Sequence, residues 1–199
     1  MQPAMLSSEE VFNRYIKPRI WIKNYDEGVP PDVEIKYFPL YEILDEAVRR
    51  YPNRNAQIFM GRRISYKVIG DHSDRLAHAF REMGIGKGDV VALQLPNCPQ
   101  FYVTYFGVLK AGCTCALINP WAGKSGTEYM LGEVEPKVVV CTDSIYPLTV
   151  NASQKIGGVE HVITTSLSDF TTELDEKAPP DVKSKPKQVG GLSLAKLLE

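Results

Sequence analysis

Hydrophobic and polar positions along the chain are most regular between residues 90 and 120. Residues 90–95 form an almost continuous apolar run, which is typical of a strand covered on both faces in a parallel sheet. Prolines and polar residues then interrupt the run. We expect Asn97 to cap a helix and Pro99 to lie in its first turn, where its missing N–H costs nothing.

The helix that follows carries aromatic and aliphatic residues at a helical spacing. Tyr102, Phe106 and Leu109 recur at i, i+4 and i+7, which predicts an apolar stripe that packs on the sheet. Gly112 is expected to end this helix, and residues 113–118 read as the next strand. Strand, helix and strand together predict a βαβ unit.

Similar patterns before and after this unit extend the prediction to most of the chain. The expected elements are a helix at 40–51, a hairpin of strands 56–60 and 63–65 joined at Gly61-Arg62, a long helix that ends at Gly84, a helix opened by a capping box at Ser125 to Glu128, a buried strand at 137–141, a helix capped by Asp143 or Ser144, and a strand at 160–164. Alternating strands and helices predict an α/β fold, with a doubly wound, mostly parallel sheet flanked by helices and a small N-terminal hairpin.

The two ends of the chain differ from this central region. Ser7 and Glu10 have capping-box spacing and predict a short helix, and residues 17–39 are rich in proline and aromatic residues without a period. We expect an extended N-terminal arm that wraps its own domain or a neighbouring subunit, as in a homodimer. The predicted domains are residues 1–39 (helix and arm), 40–170 (α/β subdomain) and 171–199 (linker and the start of a helix).

Composition excludes several classes of partner. The chain has 199 residues, 44% hydrophobic and 24% charged, and a net charge of −1, so neither nucleic acid nor an acidic membrane attracts the molecule as a whole. No apolar stretch is long enough to span a bilayer, and the first residues do not resemble a secretory signal. The sequence predicts a cytoplasmic protein, with peripheral contact to a membrane as the alternative.

Candidate catalytic and metal-binding motifs fail on their context. Gly84-x-Gly86 lies between a helix and a strand, which is the reverse of the dinucleotide fingerprint, and Asp89 replaces its third glycine. The four cysteines lie in or beside predicted strands and are interpreted as small buried hydrophobic residues, since Cys113-x-Cys115 lacks the spacing of a zinc site. The three histidines are not next to a nucleophile motif. The residues therefore predict no catalytic group and no metal ligand.

Several short motifs in constant order carry a resemblance to a known family. They are Tyr51-Pro52, Gly61-x-x-Ile64-Ser65-Tyr66, Leu76-Ala77, residues 83–92 (MGIGKGDVVA), Leu95-Pro96-Asn97, residues 105–112 (YFGVLKAG) and Asn119-Pro120. Together they resemble the N-terminal part of the AMP-forming acyl-CoA synthetases, and most of all the medium- and long-chain fatty-acid CoA ligases. The resemblance covers roughly residues 37–164.

The resemblance implies a two-step reaction in the parent enzyme. A fatty-acid carboxylate attacks the α-phosphorus of ATP to give an acyl-adenylate and pyrophosphate, and the thiol of CoA then displaces AMP to form the thioester. The family uses ATP, Mg²⁺ and CoA, and it supplies a Ser/Thr/Gly-rich phosphate loop, a Thr-Glu motif, a ribose-binding Asp and a C-terminal Lys. None of these motifs occurs here. We therefore expect an N-terminal fragment that binds no cofactor of its own and is inactive alone.

The resemblance also implies three cofactor-binding residues. The turn that approaches the nucleotide and pantetheine of CoA in related ligases corresponds here to Asn119, Pro120 and Trp121. This chain departs from the family pattern at two positions. Trp121 replaces the commoner Tyr, and Met130 falls where some relatives carry an Arg that contacts a CoA phosphate. The structural alternative is that Asn119-Pro120 only ends a strand and that Trp121 packs on the next helix.

Two other functions stay open on the sequence. One is a stand-alone α/β binding or dimerisation module without catalytic activity, and the other is a fragment of a related adenylating enzyme, such as an aryl-acid ligase or a luciferase-like oxidoreductase. The coding sequence that follows Glu199 separates the ligase from the module, because the ligase requires a downstream phosphate loop with Pro-Lys-Gly.

Overall fold

The computed structural model of the chain describes residues 7–33, 37–170 and 190–199, and the chain divides into two units, Met1–Phe38 and Pro39–Glu199. In the first unit, helix α1 (Ser8–Val11) continues into a π-helical turn (Phe12–Ile16), and a 3₁₀ helix follows at Ile20–Asn24. The predicted capping box is confirmed. The Glu10 N–H donates to the Ser7 hydroxyl at 3.2 Å, and the Ser7 N–H donates to the Glu10 carboxylate at 2.8 Å.

The second unit contains the sheet and its helices. Its elements in chain order are α2 (Glu42–Arg50), β1 (Asn55–Phe59), β2 (Arg62–Ser65), α3 (Tyr66–Glu82), β3 (Val90–Gln94), α4 (Pro99–Lys110), β4 (Thr114–Leu117), α5 (Gly123–Val134), β5 (Val138–Thr142), a 3₁₀ turn (Asp143–Ile145), α6 (Tyr146–Ile156), β6 (His161–Thr165), β7 (Leu192–Ser193) and α7 (Leu194–Leu197). In the described ranges, no helix is both long and apolar enough to cross a bilayer.

The main sheet has the predicted α/β architecture. Five strands lie in the order β4-β3-β5-β6-β7, and every neighbouring pair is parallel. Strands β1 and β2 form the separate antiparallel hairpin. Its turn is Met60-Gly61, with φ of 46° and 81°, one residue earlier than the predicted Gly61-Arg62. Two positive φ angles characterise the tight turns that match the twist of paired strands.

Strands β3 and β5 are buried on both faces, as their continuous apolar sequences predict. Val91 and Leu93 point into a core shared with α3 and α4, whereas Ala92 points into a second core shared with α5 and α6. Alternating residues of β5 divide in the same way, with Val138 in the first core and Val139 in the second. The sheet is therefore the middle of three layers.

Helix α4 buries a different face from the one predicted. Tyr102 is exposed and Phe106 and Leu109 are only partly buried; the buried residues of its packed face are Gln100, Val103, Thr104, Gly107 and Val108. Close packing of α4 against α3 explains the difference, because a Cβ atom at Gly107 would lie 3.0 Å from a methyl carbon of Leu76. A contact this close requires a residue without a side chain at Gly107, and the aromatic residues of α4, such as Phe106, pack at the margin of the core.

Three predicted helix caps are wrong. Cys98, not Asn97, is the N-cap of α4, although Pro99 does lie at its first position. Helix α5 begins at Gly123, so Ser125 lies inside its first turn and does not cap it. A 3₁₀ turn over Asp143–Ile145 leads directly into α6, and the Ser144 hydroxyl pairs with Thr142 at 2.9 Å. In each case the path between sheet and helix decided where the helix begins.

Both helices that were predicted to end at a glycine do so. Gly84 and Gly112 have φ of 74° and 83° and follow the last turns of α3 and α4. After α4, the Gly112 N–H donates to the Leu109 carbonyl and the Cys113 N–H donates to the Val108 carbonyl, which is the Schellman pattern.

Most of the predicted 171–199 linker lies outside the described residues. The domain boundaries and the arm-mediated homodimer stay predictions.

Candidate functional site

The order of the parallel strands creates a crevice at one edge of the sheet. Among the strands of the main sheet, β3 comes first in the chain, and it lies between β4, which comes second, and β5, which comes third. The connections that leave the carboxyl ends of β3 and β4 therefore run in opposite directions across the sheet. In open α/β sheets, ligands bind at the carboxyl ends of the strands where the strand order reverses in this way.

A cavity of about 210 Å³ lies at this position. The residues that line it come from the hairpin turn and from the segments that follow β3, β4, β5 and β6: Phe59, Met60, Pro96, Asn97, Cys98, Pro120, Trp121, Thr142, Ser144, Ile145 and Leu167. Most of these side chains are apolar. Those that carry a side-chain oxygen are Asn97, Thr142 and Ser144, and among the described residues no acidic or basic side chain lines the cavity.

Two of the three predicted cofactor-binding residues line this cleft. Pro120 and Trp121 form part of its wall, and the Trp121 side chain is 78% exposed, so it does not pack on the next helix as the structural alternative required. Asn119 does not line the cavity. Its side-chain oxygen accepts a 2.9 Å hydrogen bond from the backbone N–H of Trp121, and this bond fixes the turn that presents the indole.

Sequence analysis did not identify the other residues that line the cleft. Met60 reaches the cleft from the hairpin turn, while Ile145 and Leu167 arrive from segments after β5 and β6. No motif marks these residues. For Ile145 and Leu167 the available signal is their position shortly after strands, because parallel strands bring their carboxyl ends to one edge of the sheet; Met60 lies on the separate hairpin, and no such signal marks it.

A buried polar network supports the cleft from within the protein. Gln94, the last residue of β3, is fully buried; its amide nitrogen donates to the Thr127 hydroxyl at 2.9 Å, and its amide oxygen accepts from the Thr149 hydroxyl at 2.9 Å. The Thr149 hydroxyl also lies 3.1 Å from the carbonyl oxygen of Ile145, a residue of the cleft wall. The Thr149 hydroxyl has a single proton, so it donates to Gln94 or to Ile145 at any one time, and the Gln94 bonds connect the end of β3 to α5 and α6.

The cysteines have the properties of buried hydrophobic residues, as predicted. All four are free thiols. Burial raises the pKa of Cys98 to about 11, against a smaller lowering by the N–H groups of Phe101 and Gln100, and burial raises the pKa of Cys115 and Cys141 to about 12. These thiols stay protonated at neutral pH, so Cys98 is no nucleophile despite its place at the cleft.

The chemistry of the cleft limits what it can bind. An apolar lining with a few hydroxyl and amide groups and an exposed indole suits an apolar or aromatic ligand group that makes few hydrogen bonds. It does not fit a triphosphate or a divalent cation, both of which require charged partners. Within the described ranges, no cluster of His, Cys, Asp or Glu side chains could hold a metal ion. The fold and the cleft are those of an α/β domain with an apolar pocket at the carboxyl edge of its sheet.

Comparison with known proteins identifies the family. The model of the AMP-binding enzyme family matches residues 44–195, about three quarters of the chain. The chain belongs to this family of AMP-binding enzymes.

Individual proteins resemble the chain in sequence or in fold. A long-chain fatty-acid CoA ligase of Bacillus subtilis is 29% identical over 150 residues, which are 75% of this chain and 27% of the relative. Among solved structures, a benzoate CoA ligase from Burkholderia xenovorans superposes with a TM-score of 0.64 at 15% identity, over 81% of this chain and 28% of the other. A long-chain fatty-acid CoA ligase from Archaeoglobus fulgidus superposes with a TM-score of 0.61 at 21% identity, over 73% and 32%. The chain thus spans about a quarter of the curated relative.

Proposed function

We propose that this chain forms part of an AMP-forming fatty-acid CoA ligase and that its cleft receives the non-phosphate part of CoA. The single observation that carries the proposal is the exposed indole of Trp121 at an apolar cleft on the carboxyl edge of the sheet. Family membership and the homology to long-chain fatty-acid CoA ligases support it.

The proposed reaction has two steps. A fatty-acid carboxylate oxygen attacks the α-phosphorus of ATP, and pyrophosphate leaves. The CoA thiol then attacks the acyl carbon, loses its proton, and AMP leaves with the bonding electron pair. ATP and CoA are abundant in the cytoplasm, and a cytoplasmic location is part of the proposal.

This chain would contribute binding and orientation rather than chemistry. Trp121 would stack against a planar or apolar section of CoA, and the Asn119 hydrogen bond would keep the indole at the rim. The described residues of the cleft carry no charge that could hold the phosphates of ATP, so no reaction step is assigned to them. We accordingly propose that the 199-residue chain alone does not form the adenylate.

Fluorescence of Trp121 tests the binding part. The chain contains two tryptophans, so the Trp21→Phe variant leaves Trp121 as the sole reporter. Titration with CoA is expected to quench this emission to saturation. Calorimetry is expected to show at least about fivefold weaker CoA binding for Trp121→Ala, because a stacked ring contributes on the order of 1 to 3 kcal/mol.

Tyr129→Ala is the matched control, since Tyr129 is also an exposed aromatic residue but lies outside the cleft. Equal loss of CoA binding in both variants, or no quenching by millimolar CoA, would contradict the proposal. A separate assay of ATP–pyrophosphate exchange with palmitate and Mg²⁺ is expected to give no signal from the purified chain. Measurable exchange would overturn the assignment of catalysis to residues outside this chain.

A further inference from the structure

The turn of the β1–β2 hairpin carries an unusual residue at its first position. Phe59 pairs with Arg62, so Met60 and Gly61 are the two residues of the loop. Both have positive φ angles, 46° at Met60 and 81° at Gly61. Two-residue turns with this backbone favour Asn-Gly, Asp-Gly or Gly-Gly, because the Cβ atom of other residues crowds the backbone at positive φ. Met60 therefore holds a conformation that its side chain disfavours.

Core packing does not account for this methionine. Its neighbour Phe59 packs against the first core, whereas Met60 is half-buried and, among the residues that the structure describes, belongs to neither core. Met60 lines the cavity of about 210 Å³ instead. Backbone conformations of this kind persist where the surrounding structure enforces them, and they cluster at ligand sites. The conformational cost at Met60 thus points to the cleft rather than to the core.

Met60 and Trp121 bring two kinds of apolar surface to this cavity from different elements. Met60 comes from the hairpin turn, and Trp121 comes from the segment after β4, where its indole is 78% exposed. An indole stacks on the face of a planar group. A thioether on an unbranched, flexible side chain adapts to the shape of its partner and contacts aromatic rings at their edges. The two side chains together suit a planar apolar group and require no charge from the ligand.

We propose that Met60 is a ligand-contacting residue which, with Trp121, holds a planar apolar group in the cleft, and that the left-handed turn at Met60 places its thioether there. For the identity of that group we rely on the proposed function, in which the cleft receives the non-phosphate part of CoA. The role of Met60 itself follows from its backbone and its position in the cavity.

Met60→Asn should change stability and binding in opposite directions. It gives the turn its favoured Asn-Gly pair, so we expect the melting temperature to rise by about 1 to 4 °C. It also removes the thioether from the cleft, so ligand binding should weaken about three- to tenfold. Loss of a purely structural contact would instead lower the melting temperature.

The experiment uses the full chain with Trp21→Phe, in which Trp121 is the sole tryptophan. Quenching of Trp121 emission is titrated with CoA and, separately, with N-phenylnaphthylamine, a neutral planar probe whose binding requires no recognition of CoA. Both ligands are expected to bind the parent, and both should bind Met60→Asn more weakly.

Two further variants provide the controls. Met60→Leu keeps an apolar side chain at the same backbone angle, so its binding should stay within about twofold of the parent and its melting temperature should not rise. Ile58→Thr changes an aliphatic residue of the same hairpin that is 67% exposed and lies outside the cleft, and it should leave binding unchanged.

Three results would overturn the inference. They are unchanged binding of both ligands by Met60→Asn, equal loss of binding in Met60→Asn and Ile58→Thr, and a fall in the melting temperature of Met60→Asn, since Met60 would then serve the fold. Binding of the neutral probe that depends on Met60, without any binding of CoA, would support the role of Met60 and overturn the proposed ligand. If neither ligand quenches Trp121, both proposals fail.

Discussion

The Thr149 hydroxyl on α6 donates a 2.9 Å hydrogen bond to the amide oxygen of Gln94, which lies fully buried at the carboxyl end of β3. The same glutamine donates to Thr127 on α5 at 2.9 Å. A fully buried amide with both ends paired connects three elements at the point where the cleft begins. Stability and cleft shape are therefore coupled through a single side chain.

Replacement of Gln94 tests this coupling. Gln94→Leu removes the hydrogen-bond partner of the buried Thr127 hydroxyl, whereas the Thr149 hydroxyl can still donate to the Ile145 carbonyl oxygen at 3.1 Å. An unpaired buried polar group costs about 1 to 3 kcal/mol, so we expect the free energy of unfolding, measured with urea, to fall by about 1 to 3 kcal/mol.

A double variant provides the control for this prediction. Gln94→Leu combined with Thr127→Val removes the hydroxyl that lost its partner, and the stability of this double variant should exceed that of Gln94→Leu alone. Equal stability of the two variants would show that loss of packing, rather than loss of hydrogen bonds, causes the effect.

A matched pair of glycines tests the packing of α4 on α3. A Cβ atom at Gly107 would lie 3.0 to 3.2 Å from three side-chain carbons of Leu76, whereas a Cβ atom at Gly132 on α5 would meet only an Ile156 methyl carbon at 3.9 Å. Alanine is favoured over glycine inside a helix by about 1 kcal/mol, and overpacking costs about 1 to 3 kcal/mol. We expect Gly132→Ala to raise the midpoint of urea unfolding and Gly107→Ala to lower it. A rise in both would show that α3 and α4 can separate at little cost.

His72 predicts a pH dependence of stability. Its ring contacts the edge of Phe170, with the centroids 5.5 Å apart. Burial lowers the pKa of His72 below its ordinary value of 6.5, Arg75 and Arg62 lower it further, and Asp71 opposes them. The folded state therefore binds the proton less tightly than the unfolded state, so the stabilisation is complete above about pH 6.5 and is lost as the pH falls below it.

Thermal unfolding between about pH 7.5 and 5.5 checks this direction. The melting temperature of the parent should fall more over this range than that of His72→Gln. His78→Gln, at an exposed position on the same helix, should behave as the parent. A larger fall in His72→Gln than in the parent would contradict the sign of the pKa change.

Lys110 joins three helices through two carboxylates. Its ammonium lies 2.6 Å from Asp45 on α2 and 2.7 Å from Asp74 on α3, and its side chain is only 8% exposed. Burial lowers the pKa of Lys110, but the hydrogen bonds and charges of the two aspartates outweigh burial and raise the pKa above 10.5. The stabilisation is thus complete below about pH 10.5 and is lost at higher pH.

Lys110→Met should lower the free energy of unfolding at neutral pH by about 1 kcal/mol, because the two aspartates are partly exposed and water can solvate them. The difference in the free energy of unfolding between parent and variant should be smaller when urea titrations are repeated near pH 11. Asp71→Asn, which removes an exposed ion pair with Lys67, should cost less. A difference that grows with pH would contradict the predicted pKa.

Local patterns determined much of this protein from the sequence alone. The apolar runs of β3 and β5 predicted strands buried on both faces, because a strand with water on one face must alternate. The helix ends at Gly84 and Gly112 and the capping box at Ser7 were correct, since each depends on the conformation of a few consecutive residues. The family resemblance rested on such short motifs as well, and the comparison confirmed it.

Only the tertiary structure decided which faces and loops meet. Helix α4 turned its small residues inward because Leu76, far away in sequence, lies against Gly107. The cleft brings Asn97, Trp121 and Leu167 together because the order of the strands in the sheet, not their order in the chain, sets which loops are neighbours. Sequence periodicity identifies that an element has a buried face, but distant contacts select the face, and those contacts exist only in the folded chain.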